Sequence, residues 1–173
     1  MTETERLILK PLNYSQLVNY IKADHSLEAE LNLNQSPRAI SPELKEALEN
    51  TILPNVADPN KNYLYSTLWT IISKEEKIMV GDLCFVGEPD GDGGVEIGYG
   101  TYLASRNKGY MTEAVGGLVK WAEGQPEINY ISADTEKNNI ASFSVLEKNG
   151  FTRVGETDTL YKWRLQIARH IDT

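Results

Sequence analysis

The stretch that decides the fold is Val95 to Ala122, VEIGYGTYLASRNKGYMTEAVGGLVKWA. It opens as a strand, predicted over Val95–Leu103, and turns through Ser105-Arg106-Asn107-Lys108-Gly109. A helix is predicted over Gly109–Glu123. Its apolar residues Val115, Leu118, Val119 and Ala122 recur at i, i+3, i+4 and i+7. A basic turn with a glycine at the helix start has a physical use. The first amides of a helix lack internal partners, and the macrodipole makes that end positive. Both features suit an anion such as a diphosphate. Gly109 lets the backbone come close to it, and Arg106 and Lys108 add charge. Alone, Gly109 would read as an ordinary turn or packing glycine. The triphosphate-binding pattern GxxxxGK[ST] is absent. Gly98 and Gly100 do not extend to GxGxxG, because Leu103 stands at the last position.

Outward from this segment the chain changes period. Glu5–Leu12 alternates as a strand, and Leu17, Val18 and Ile21 mark a helix over Ser15–Lys22. Residues Asn32–Ile40 read as a loop. Ser41-Pro42 opens a helix that Pro54 is expected to close. Ile78–Val86 reads as a central strand, with Met79, Leu83 and Phe85 on one face and Val80, Cys84 and Val86 on the other. Gly81 hints at a bulge within it. After Gly109–Glu123 come a strand over Ile128–Asp134, a helix over Asn138–Lys148, and strands over Phe151–Glu156 and Leu160–Ile167. Ile140, Phe143, Val145 and Leu146 lie nearly all round their helix, which points to burial on several sides. Trp69, Trp121 and Trp163 read as core. The whole is a mixed α/β (α+β) layered fold, not a doubly wound one, in a single domain spanning 1–173.

Composition narrows the function. Lys and Arg total 17 and Asp and Glu 25, a net charge of −8. Such a chain repels phosphate backbones, so no nucleic-acid partner is expected. The acidity leans toward a cationic partner such as an amine, although it also serves solubility. Cys84 is the one cysteine and His25 and His170 the two histidines, so no metal site is expected. No run approaches the apolar length of a membrane helix, and the first residues do not read as a signal peptide. A cytoplasmic protein, monomer or homodimer, is the expectation.

Several motifs taken together carry a resemblance. Arg106-Asn107-Lys108-Gly109-Tyr110 resembles the acyl-CoA loop, Gln/Arg-x-x-Gly-x-Gly/Ala, of the GNAT superfamily of N-acetyltransferases. Glu96-Ile97-Gly98-Tyr99 precedes it and Thr112-Glu113-Ala114 follows it. Asn139-Ile140-Ala141-Ser142 leads into Glu147-Lys148-Asn149-Gly150-Phe151, and Glu5-Arg6-Leu7-Ile8-Leu9 opens the chain. These are similar to the branch that contains ribosomal-protein N-terminal acetyltransferases; Asn13–Asn62 matches least. The resemblance implies a mostly antiparallel sheet of six or seven strands with about four helices. It also implies a splayed central parallel pair, Val95–Leu103 and Ile128–Asp134, holding pantetheine in the wedge. It places acetyl-CoA on Thr101, Tyr102 and Leu103 by strand pairing, and its diphosphate on the amides of Arg106, Asn107, Lys108, Gly109, Tyr110, Met111 and Thr112. Asn139 matches a pantetheine contact and Ser142 a position near the thioester sulfur. Two positions depart from the family: Met111 stands where Gly or Ala is usual, and Leu146 where many members carry a general-acid tyrosine.

Glu96 is the candidate base. Alternation puts it opposite Val95 and Ile97, beside Gly98 and Gly100, whose small size leaves room for a substrate; the plain alternative is a solvated or ion-paired strand residue. Tyr99 and Tyr102 read as pocket lining or as packing. Lys148 is a candidate to approach the phosphates. The reading is an acetyl-CoA-dependent N-acetyltransferase acting by direct attack on a primary amine, either a protein N-terminus or a small molecule. Leu27–Ile40, Tyr63–Trp69 and the last strands are expected to choose that acceptor. The rivals are a non-catalytic acyl-CoA-binding module, favoured by Met111 and Leu146, and an interaction domain with no CoA site.

Overall fold

The computed structural model describes residues 1–168. His170, assigned no role from sequence, lies outside them. In chain order the strands are β1 (Thr2–Glu3), β2 (Leu7–Pro11), β3 (Leu68–Ser73), β4 (Ile78–Phe85), β5 (Gly94–Thr101), β6 (Tyr130–Glu136), β7 (Thr152–Glu156) and β8 (Leu160–Gln166). The helices are α1 (Tyr14–Lys22), α2 (Ser26–Glu30), α3 (Pro42–Ala47), α4 (Leu53–Ala57), α5 (Tyr110–Glu123) and α6 (Ile140–Lys148). The strands form one eight-stranded sheet ordered β1-β2-β3-β4-β5-β6-β8-β7. Every neighbouring pair is antiparallel except β5 and β6. This is the mixed, mostly antiparallel architecture expected from sequence, with the two-residue β1 as an added edge.

The parallel pair is short. Gly94, Val95 and Glu96 pair with Tyr130, Ile131 and Ser132, and beyond that register β5 and β6 run on without pairing to each other. The strands splay, and the opening between them is a fork. Leu103 is not in the strand as expected: β5 ends at Thr101, and Leu103–Ser105 forms a 3-10 turn that redirects the chain toward α5.

Two apolar layers sandwich the central strands, and β3 is buried along its whole length. One layer joins Leu83, Phe85, Val95, Ile97 and Ile131 to Ala114, Val115, Leu118 and Ala122 of α5. The other joins Leu68, Ile72 and Met79 to Leu17 and Tyr20 of α1, Leu27 of α2 and Leu48. The α1 helix is fixed by a capping box in which Asn13 and Gln16 exchange side-chain-to-backbone hydrogen bonds of 2.9 and 3.0 Å. Helix α5 lies close to the start of the chain. A Cβ on Gly117 would stand 2.6 Å from Thr4 Cγ2.

Three local expectations are corrected. Pro54 does not close its helix. A π-turn over Leu48–Ile52 carries the chain from α3 into α4, where Pro54 takes the second position. The wider turn absorbs the proline's missing N–H. In β4 the bulge exists, but it also inverts the faces. Ile71 pairs with Gly81 and Ile72 with Met79, leaving Val80 as the extra residue. Val80 therefore joins Leu83 and Phe85 under α5, and Met79 joins Cys84 on the α1 side. Helix α6 is a surface helix: Leu146 is its fully buried residue, and Ile140 is 73% exposed at its first position.

Candidate active site

The turn between β5 and α5 is held open by its backbone. Asn107 and Gly109 both adopt left-handed conformations, φ 65° and 76°. Gly109 is the N-cap of α5 and offers no side-chain cap. The first helical bond runs from the Glu113 amide to the Gly109 carbonyl. The amides of residues 107–112 have no backbone partner among the described residues. A left-handed residue followed by a helix start turns successive N–H groups toward one point, which forms an anion-binding concavity.

A bracket from the chain's beginning steadies this turn. Arg6 donates from Nε to Glu113 Oε1 at 2.7 Å and from Nη1 to the Lys108 carbonyl at 3.0 Å, and its guanidinium lies 4.8 Å from the centre of the Tyr110 ring. The Arg6 amide and the Thr4 hydroxyl donate to the other Glu113 oxygen. From the opposite side, the Asn149 side chain donates to the Thr112 and Val145 carbonyls at 3.1 and 2.8 Å, tying α6 to the first turn of α5. Sequence reasoning missed both braces as functional parts. The signal was present in Arg6, Glu113 and Asn149 of the quoted motifs, but the Arg6 contacts span more than a hundred positions and Asn149 reaches back 37 positions to Thr112.

Between these elements lies a cleft of about 700 Å³, bounded by Tyr99–Thr101 of β5, the turn from Ser105 to Thr112, and one face of α6. It brings together the expected residues Thr101, Arg106, Asn107, Lys108, Gly109, Tyr110, Met111, Thr112, Asn139 and Ser142. The Asn139 side chain caps α6 by accepting from the Ser142 amide at 3.3 Å. The Tyr99 hydroxyl reaches the Ser142 carbonyl at 3.5 Å and bridges the mouth of the fork. Tyr102 and Leu103 are not brought to the cleft. Tyr102 turns to the opposite face and donates to Asp82 at 2.8 Å, while Leu103 is 79% exposed on its 3-10 turn. Lys148 also stays outside the cleft lining. Met111 is buried, with its side chain in the layer under the sheet, so it does not stand as a wall before the amides. Leu146 is fully buried in the same layer. A phenol there would have to leave the core to reach a thioester.

Glu96 lies on the other face of β5 from Val95 and Ile97, at the last residue paired with β6. Gly98 and Gly100 follow it on that face. A Cβ at Gly98 would meet Cys84 Sγ at 3.4 Å, and one at Gly100 would meet open space. A floor without side chains therefore leads from Glu96 along β5. Burial raises the Glu96 carboxyl above its ordinary range, the Asp134 carboxyl adds to the rise, and the Lys162 ammonium opposes it. Cys84, on the neighbouring strand, has its thiol pushed up to about 11, chiefly by burial, and stays an inert neutral group.

Residues 6–152 match the family model described as Acetyltransferase (GNAT) domain. The chain belongs to the GNAT acetyltransferase family. As a GNAT protein it is an acyltransferase. It is 31% identical over 151 residues, 87% of this chain and 89% of the relative, to the uncharacterised N-acetyltransferase YjdG of Bacillus subtilis (strain 168). The GNAT fold is also seen in a ribosomal L7/L12 alpha-N-protein acetyltransferase in complex with coenzyme A. That structure superposes with a TM-score of 0.67 at 18% identity, covering 95% of this chain and 96% of its own. A spermidine N-acetyltransferase from Vibrio cholerae, in complex with CoA and spermine, gives a TM-score of 0.66 at 12% identity, with 95% and 97% covered. Among the described residues no helix is long and apolar enough to cross a membrane, and no cluster of three His, Cys, Asp or Glu is placed to hold a metal.

Proposed function

We propose that this protein transfers the acetyl group of acetyl-CoA to a primary amine by direct attack, with no covalent enzyme intermediate. The observation that carries the reading is the meeting of two features in one cleft: the unpartnered amides of residues 107–112 and the parting of β5 from β6. The amides receive the diphosphate, with Arg106 and Lys108 adding charge. Pantetheine runs along the free edge of β5 near Thr101 and forms strand-like hydrogen bonds. Asn139 and Ser142, at the start of α6, face the far end of the carrier.

The acceptor approaches from the other face, over Gly98 and Gly100. Amines are mostly protonated at neutral pH, so the attacking nitrogen must lose a proton. Glu96 takes it, directly or through water. The nitrogen lone pair then attacks the thioester carbonyl, a tetrahedral oxyanion forms and is stabilised by a main-chain N–H, and the C–S bond breaks. The CoA thiolate is a tolerable leaving group because thiols titrate at roughly 8.5, so in place of the missing phenol at Leu146 either Ser142 or water protonates it, or it leaves with no acid needed. Holding both reactants in line supplies much of the acceleration. The acceptor is a protein N-terminus or a small amine. The two solved relatives described above bear names with acceptors of these two kinds, and the net charge of −8 favours a cationic one.

The test is release of free thiol from acetyl-CoA with a panel of amines and N-terminal peptides. Turnover dependent on amine is expected, with Gly109→Val raising the KM for acetyl-CoA tenfold or more. Tight CoA binding without turnover on any amine would instead support the non-catalytic carrier-binding module, the reading that the apolar, core-facing Leu146 favours.

A further inference from the structure

Glu96 does not stand alone at the fork. It pairs with Ser132 in the last parallel register of β5 and β6. Side chains alternate along a strand, so Asp134 points to the same face as Ser132, just where β6 has parted from β5. That places the Asp134 side chain one pleat beyond Ser132 on the face that Glu96 occupies, and its charge adds to the rise of the Glu96 carboxyl. Asp134 is in turn the cross-strand partner of Lys162 on β8, whose Nζ stands 3.4 Å from both Asp134 oxygens. The other neighbours are accounted for. On β4, Cys84 is a neutral thiol, and Asp82 receives hydrogen bonds from Tyr20 and Tyr102. On β8, Arg164 stacks 4.1 Å over Tyr130. Among the charged groups of the described residues, Asp134 and Lys162 are the two that act on Glu96.

We propose that Asp134 is a positioning residue: it orients the Glu96 carboxyl at the mouth of the fork, and Lys162 holds Asp134 there and offsets its charge. This rests on Glu96 as the base. Two neighbouring carboxyls resist carrying two negative charges, so Asp134 favours the protonated form of Glu96 and Lys162 favours the ionised form. The base is thereby made a better proton acceptor than a solvated glutamate, at the cost of being ionised over a narrower pH range.

The test is the pH profile of kcat/KM for the amine at saturating acetyl-CoA, joined to a carbon-13 titration of the Glu96 carboxyl without substrate. In Asp134→Asn the acidic limb and the Glu96 midpoint are expected to fall by roughly half to one pH unit. The kcat should drop several-fold, with the KM for acetyl-CoA unchanged. In Lys162→Met both should move the other way. Unmoved midpoints in both variants would overturn the inference, whatever the rates. Full activity of Glu96→Gln would remove Glu96 as base, and the carboxyl titration would still decide whether Asp134 controls it.

Discussion

Asp82 is a carboxyl that the fold withdraws from water. It accepts from the Tyr20 hydroxyl at 2.6 Å and the Tyr102 hydroxyl at 2.8 Å, and its other oxygen is buried without a partner. Burial raises it from 3.8 to about 6, against the pull of the two hydroxyls and of Arg38. The sign follows from linkage. Between about 4 and about 6 the folded chain binds a proton that the unfolded chain does not, so this group's contribution is full at low pH and is lost as pH rises through about 6. Urea unfolding of Asp82→Asn against the parent, from pH 4 to 7.5, should show the variant gaining stability relative to the parent as pH rises. A constant difference would mean that Asp82 does not titrate in this range. This residue was not legible as special in the sequence. The strand read as central, with apolar residues on both faces, but its sequence does not show that Tyr20 and Tyr102, 62 and 20 positions away, supply the hydroxyls that hold the buried carboxyl.

The turn before α5 and the bulge in β4 are the elements on which the site depends. Arg6→Met removes the bracket to Glu113 and to the Lys108 carbonyl. The KM for acetyl-CoA should rise roughly five- to twentyfold, about 1–2 kcal/mol for a lost charge-assisted bond, with kcat little changed. A matching fall in kcat alone, read from steady-state kinetics, would contradict a purely supporting role for Arg6. In β4, a Cβ at Gly81 would lie 2.5 Å from the Gly100 carbonyl. Gly81→Ala should therefore push β4 from β5 and lower stability in urea by about 1–3 kcal/mol. An unchanged unfolding midpoint would place the close approach elsewhere. Gly81 signalled the bulge in the sequence. The inverted faces of Met79 and Val80 were not readable, because an alternation of two carries no mark of where it slips. Pro54 misled for a similar reason: a proline reads as a stop unless a π-turn beside it takes up the lost bond, and that turn has no sequence signature.

Over the whole molecule the amide turn was the most legible feature, while the fork was implied by the family resemblance alone. The basic turn and the glycine before α5 lie within one segment, so local spacing reports them. The proposed acceptor side was the least legible, because the face around Glu96 is assembled from β4, β5, β6 and β8, and the charged neighbours of Glu96, Asp134 and Lys162, lie far along the chain. The same separation has a consequence for stability. CoA contacts at Thr101, at residues 106–112 and at Asn139–Ser142 would join β5, α5 and α6, so binding should stabilise the fold as a unit. At a CoA concentration of a hundred times Kd the expected gain is about 2.7 kcal/mol, which raises Tm by roughly 5–10 °C for a chain of this size. A calorimetric scan that shows no shift at saturating CoA would mean that the carrier does not engage the native state. The most direct measurement is a nitrogen-15 amide titration with CoA, read beside one with pantetheine, which lacks the diphosphate. Downfield movement of the amides of residues 107–112 with CoA and not with pantetheine is the expected result. CoA that binds while those amides stay where they were would contradict the claim that this turn holds the diphosphate.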